Sequence, residues 1–182
     1  MNVYAYFEPQ LKRFETTDAQ TFKAWNRRAV PAQPGVYVIY RGRCPLYVGE
    51  TSNLRRRVFD QHGNGRSSAF HTKLVEVLHV FKPGSESSAT ELIKNHMTFR
   101  FLTLGEGHQG YVDRRRWEAF LQAWYQPPLN FFTFKLVSPA VESVATEMLE
   151  GQSSDLPTLV KDFLNLKRIY FAPVEGECEK AA

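Results

Sequence analysis

Two short runs of β-branched and aromatic residues, Gly35 to Tyr40 and Leu46 to Gly49, flank a turn-rich break at residues 41–45. Side chains of this kind fit a pleated, half-buried surface, so residues 35–49 are predicted to form a β-hairpin entered through Pro34. A hairpin decides which side chains can meet, because successive residues point to opposite faces. If the antiparallel register pairs residues whose numbers sum to an even value, Tyr37 and Tyr47 share one face. A slip of one residue separates them, and the sequence leaves the register open.

After Gly49, the residues Thr51, Ser52 and Asn53 are candidate N-caps for a helix over residues 54–62 that Gly63 ends. Arg57 lies three residues after Leu54 and one before Val58, at the edge of the stripe that must pack on the sheet. Its guanidinium is therefore within reach of the tyrosine face. Elsewhere the pattern predicts a helix over about residues 18–28, capped by Thr17 or Asp18, a Gly/Ser loop at 63–68 and an apolar stretch at 70–80. A helix over 88–97, a strand over 99–104 and a helix over 112–125 stopped by Pro127 and Pro128 complete the central part. Another helix is predicted from about Ser154 to Arg168.

With 182 residues, 43% of them hydrophobic and 14% aromatic, the chain can bury a core of ordinary size. No run approaches the roughly 18 apolar residues that span a bilayer, and the first residues lack the apolar centre of a signal peptide. A cytoplasmic protein without a membrane partner is the default expectation. Cys44 and Cys178 lie far apart with no C-x-x-C spacing, which suggests no zinc site. Charge is uneven. Residues 1–138 hold 19 Lys+Arg against 11 Asp+Glu, and residues 139–182 hold 4 against 8, so a basic body carries an acidic tail. The basic residues cluster at Arg41 and Arg43, at Arg55 to Arg57, at Arg66 and at Arg114 to Arg116. Clusters of this kind neutralise phosphates with little dependence on sequence, although a run on a helix is more commonly a solvated face.

The interval between the tyrosines, the run Tyr47-Val48-Gly49-x-x-x-Asn53-Leu54-x-x-Arg57 and the interval from Glu118 to Asn130 together resemble the GIY-YIG endonuclease family. The resemblance covers about residues 34–132. It implies an α+β fold, a small mixed β-sheet flanked by helices, with an N-terminal helical extension over 1–33, a nuclease-like domain over 34–132 and an acidic C-terminal extension over 133–182. The activity it implies is hydrolysis of DNA phosphodiester bonds, and nothing in the sequence excludes RNA. Such chemistry needs an activated water, charge stabilisation on the phosphoryl group and help for the leaving oxygen. By resemblance, Glu118 holds one Mg²⁺ (or Mn²⁺), Tyr47 is the base or positions the water, Tyr37 is hydrogen-bonded beside it, and Arg57 contacts the scissile phosphate. Asn130 ties down backbone near the site. Arg41, Arg43, Arg55, Arg66, Arg114 and Arg115 are the candidate DNA contacts. Two roles are open to the tail: forming a homodimer, or shielding the basic face.

Two departures from the family pattern stand out. The helical His or Tyr expected four residues after Arg57 is replaced by Gln61, with His62 one residue later. On a regular helix one residue is about 100°, so Gln61 shares a face with Arg57 and His62 points away unless the helix end is distorted. Glu50 follows Gly49 directly, where it either helps to hold metal or pairs with a nearby arginine. These departures motivate an alternative reading, a catalytically silent DNA-binding or partner-recognition module.

Overall fold

Phe7, Leu11 and Phe14 recur at helical spacing, and α1 (Val3–Thr16) forms around them despite Pro9 in its interior. All three are buried, a gain of roughly 2 kcal/mol each that outweighs the backbone hydrogen bond Pro9 removes. The helix expected over 18–28 does not form. That stretch splits into β1 (Gln20–Thr21) and a 3₁₀ turn, Ala24–Arg28, because it has no continuous apolar stripe: Phe22 is buried but Trp25 is 75% exposed. The computed structural model describes residues 3–65, 67–81 and 88–131, so Arg66 and the tail helix expected at 154–168 lie outside the described residues.

The hairpin consists of β2 (Gly35–Arg41) and β3 (Cys44–Thr51). Next come a π-helix over Arg56–His62, α2 (Ala69–Phe81), α3 (Ser88–His96), β4 (Thr98–Thr103), α4 (Gly107–Tyr125) and the single turn α5 (Pro128–Phe131). Gln126, at φ 44°, ends α4 in the left-handed conformation just before the proline pair. The sheet order is β1-β4-β2-β3, and all three pairings are antiparallel, so the expected α+β class holds while the sheet is antiparallel rather than mixed.

Both faces of the sheet are covered. Val36, Val38, Tyr40 and Val48 form one core with Phe7, Leu11 and Phe14 of α1 and with Trp117 and Leu121 of α4. The N-terminal helix thus belongs to the same compact unit as the hairpin. On the opposite face Leu54, Phe59, Phe70 and Phe99 are buried around Tyr37 and Ile39. β3 is one of the two edge strands, so a boundary between the two faces runs along it. Among the described residues no helix is long and apolar enough to cross a membrane.

Candidate active site

Register brings the tyrosines together. Tyr37 pairs with Gly49 and Ile39 with Tyr47, the even-sum pairing, and the register shifts only beyond Ile39. Tyr37 and Tyr47 are therefore diagonal neighbours on one face, with ring centres 6.4 Å apart. The Tyr37 ring lies directly over Gly49: a Cβ there would collide with the phenol oxygen and come within 2.7 Å of Tyr37 Cζ. Gly49 is required for this close approach and not for an unusual backbone angle. Burial pushes both phenols up from their ordinary value, and the Arg57 charge pulls both down.

The helix after the hairpin starts as expected. Asn53 Oδ1 accepts the Arg56 N–H at 2.9 Å, and Thr51 Oγ1 accepts the Asn53 N–H at 3.1 Å. From Arg56 onward it widens into a π-helix, closed by the Gly63 N–H donating to Val58 O at 2.9 Å. A turn closed by i→i+5 bonds accommodates one extra residue and brings the fifth residue back over the first. The expectation that His62 points away from the Arg57 face is thereby corrected, through the distortion that could reverse it. His62 is buried, and its Nε2 lies 2.7 Å from the Tyr37 hydroxyl. Its Nδ1 lies 2.6 Å from Ser68 Oγ. Burial, with Arg57 and His71 adding to it, lowers the imidazole to about 3, so the ring is neutral.

Arg57 is the electrostatic centre of the group, its charge acting on Tyr37, Tyr47, His62 and Glu118. Its Nε is buried without a partner among the described residues. An orphaned donor of this kind costs about 1–3 kcal/mol, which an anion would recover. Glu118 reaches the edge strand from α4, half-buried. Burial raises its carboxyl, Arg115 lowers it and the Glu50 carboxylate raises it further. Arg115 Nη1 donates to Glu118 Oε2 at 2.6 Å. Glu50 takes the pairing alternative: Arg114 Nε donates to its Oε2 at 3.1 Å, and Arg114 Nη1 to Gly105 O at 3.0 Å.

The arginines grouped as DNA contacts separate into different environments. Arg114 is corrected: it is 6% exposed and occupied by Glu50, so it is a buried ion pair and not a phosphate contact. Arg55 Nε donates to Val30 O at 2.8 Å, anchoring the N-terminal segment to this helix. Arg115 is exposed beside Glu118. Arg43 is exposed at the hairpin tip and Arg41 is partly buried there. Asn130 acts on backbone: its Oδ1 accepts the Val48 N–H and its Nδ2 donates to Val48 O, both at 2.7 Å. On an edge strand alternate residues direct their polar groups outward, and the Asn130 amide satisfies one such residue as a neighbouring strand would. Lys73 of α2, unforeseen in the sequence, donates to Leu129 O at 2.6 Å and Asn130 O at 3.1 Å, holding α5 in place. Ser68 was also unforeseen, having been absorbed into a polar loop.

Among the described residues no group of three or more His, Cys, Asp and Glu converges. One carboxylate, Glu118, with a second carboxylate electrostatically coupled to it, is a donor set that fits Mg²⁺, which keeps most of its waters and takes phosphate oxygens as further ligands.

A model of the GIY-YIG catalytic domain matches residues 33–130. Over 71 residues the chain is 38% identical to UvrABC system protein C of Deinococcus radiodurans, an alignment covering 37% of this chain and 12% of that protein. The chain thus spans only a small part of the length of this curated relative. Among solved structures, the magnesium-bound GIY-YIG N-terminal endonuclease domain of UvrC from Thermotoga maritima matches at 16% identity over 58% of this chain and 91% of that chain, with a TM-score of 0.32. A point mutant of the same domain, bound to its catalytic divalent cation, matches at 16% identity over 58% and 91%, with a TM-score of 0.37.

Proposed function

This chain belongs to the GIY-YIG catalytic domain family, and from that premise we propose that it is a metal-dependent endonuclease cutting DNA with a tyrosine-assisted water. The observation that carries the reading is the convergence of Tyr37, Tyr47, His62 and Glu118 around Arg57, whose buried Nε lacks a partner among the described residues. The scissile phosphate supplies the missing anion. A guanidinium stays charged throughout and makes paired contacts with phosphate oxygens, so Arg57 both places the phosphate and stabilises the charge that builds on it. Tyr47 accepts the proton of the attacking water. It does so as the phenolate, having first released its own proton to solvent; burial and the Glu118 charge disfavour that form, the Arg57 charge favours it, and the proton taken from water restores the neutral phenol. Tyr37, hydrogen-bonded to His62, orients that exchange, and Asn130 fixes the strand from which Tyr47 projects. Glu118 would hold Mg²⁺, which supplies charge neutralisation on the phosphoryl and leaving oxygens when bound.

The likeness to UvrABC system protein C favours DNA over RNA as substrate. The silent-module reading rested on two departures, the displacement of His62 and the acid at Glu50; the π-turn that sets His62 beside Tyr37 supports the active reading, and Glu50 pairs with Arg114. The test is cleavage of supercoiled plasmid with Mg²⁺ and with EDTA, by the wild-type chain and by Glu118→Gln. Nicking should need Mg²⁺ and fall by ~10²-fold or more in the variant. Equal cutting in EDTA, or by the variant, would refute the assignment.

A further inference from the structure

Glu118 does not stand alone on its helix. Tyr111, Arg115 and Glu118 are spaced four and three residues apart, so their side chains line one stripe of α4, beside the face that Gly110, Arg114, Trp117 and Leu121 bury. Tyr111 is 48% exposed and the Arg115 side chain 56%. The Tyr111 ring is nevertheless held from beneath. The Arg114 guanidinium lies over the ring, 5.7 Å from its centre, a cation–π contact. Arg114 is itself fixed, being buried with its Nε on Glu50 and its Nη1 on Gly105 O. A ring seated on an immobile guanidinium has little conformational freedom left to lose when its open side meets a ligand.

Position decides what that ligand is. Tyr111 precedes Glu118 by seven residues of α-helix, a rise of about 10 Å, and a strand of duplex DNA advances about 3.4 Å per nucleotide. A strand that has its scissile phosphate at Arg57 and Glu118 and follows α4 therefore reaches Tyr111 about three nucleotides away. Arg115 lies between them. Glu118 accepts from one of its nitrogens, which leaves donors for an intervening phosphate. Aromatic rings stack on bases of any identity. Within an intact duplex the faces of a base are covered by its neighbours, so the ring finds a partner only where a base is unpaired or lifted out of the stack.

We propose that Tyr111, seated on Arg114, is a stacking platform for an unpaired base about three nucleotides from the cleaved bond, and that it directs the chain to DNA that is locally open beside the cut. The ring makes the contact and the hydroxyl is dispensable. The Glu50–Arg114 pair thereby acquires a role, since it keeps the platform still. This inference rests on the endonuclease reading and adds to it a preference among DNA substrates.

Binding without turnover separates the two readings. In EDTA, the full chain is titrated by fluorescence anisotropy against a duplex and against the same duplex carrying a short unpaired bubble. Aminopurine, whose emission falls on stacking, replaces the bubble bases in turn. The wild type should prefer the bubble and quench one position most. Tyr111→Phe should keep both properties. Tyr111→Ala should lose the quench and weaken bubble binding by ~10-fold or more, with duplex binding changed by less than about threefold. With Mg²⁺, the same variant should show a raised KM on the bubble substrate and a nearly unchanged kcat. Tyr111→Ala that binds and quenches like the wild type, or that loses duplex and bubble affinity equally, overturns the inference while wild-type cleavage upholds the nuclease. Tyr111→Phe as weak as Tyr111→Ala also overturns it, marking a phosphate contact through the hydroxyl. A wild type that binds the bubble as described but never cleaves with Mg²⁺ refutes the nuclease and leaves the platform in a DNA-binding module. One that binds neither DNA overturns both.

Discussion

At the scale of single residues, the site depends on how closely side chains can approach backbone. Gly49 shows this most directly, because the Tyr37 ring occupies the space where any other residue would carry its Cβ. Gly49→Ala is expected to displace Tyr37 or part the hairpin, destabilising the fold by about 1–3 kcal/mol and impairing cleavage beyond what the stability loss explains. Chemical denaturation beside plasmid nicking at a temperature where the variant is folded checks both. Tyr37, Tyr47, Arg57 and Asn130 were legible in the sequence because each sits at a fixed distance from a turn or helix start. Arg114 was misjudged, although the signal was present: it lies three residues before Trp117 and seven before Leu121, on the stripe that α4 buries. A long basic side chain on such a stripe is buried only when a carboxylate meets it, and Glu50 belongs to another element.

At the scale of elements, the π-helix is the decisive feature. One extra residue relative to the family spacing is absorbed as a wide turn, with Val58, Phe59 and His62 all buried. Packing compensates for the poorer hydrogen-bond geometry, since an α-helical continuation would direct the His62 ring away from Tyr37. Deleting Gln61 is expected to convert the turn to α-helical geometry and bring the histidine to the usual spacing. Cleavage should stay within about tenfold of wild type, or about 1.4 kcal/mol of barrier. A far larger loss in a folded variant would mean that the wide turn itself is needed. The periodicity of residues 54–62 announced a helix but not its pitch, because the same apolar positions serve either turn. The N-terminal region shows the same limit: α1 and β1 are chosen by the core and by β4, which lies about eighty residues on in the chain.

For the molecule as a whole, burying a neutral imidazole at the centre couples the site to global stability. Folding lowers His62 to about 3, while the unfolded chain titrates near the ordinary ~6.5. Between those values the unfolded state binds a proton that the folded state does not, so this contribution is fully present above about pH 6.5 and is lost as the pH falls toward 3, at up to about 1.4 kcal/mol per pH unit. Urea unfolding at about pH 7 and about pH 5 should show a marked loss for the wild type and a smaller one for His62→Gln, which cannot take up that proton. Equal losses would mean that His62 is not held neutral. By itself the sequence determined the hairpin, the start of the helix after it, the tyrosine, arginine and glutamate residues as the candidate set, and the family, because these rest on alternation and spacing over short stretches of chain. Tertiary structure alone decided the register that stacks Tyr37 on Gly49, the turn that returns His62, the burial of Arg114 and the Ser68 hydroxyl behind the histidine. Each of these depends on desolvation and on which distant groups meet across the sheet, quantities that exist only once the core has closed.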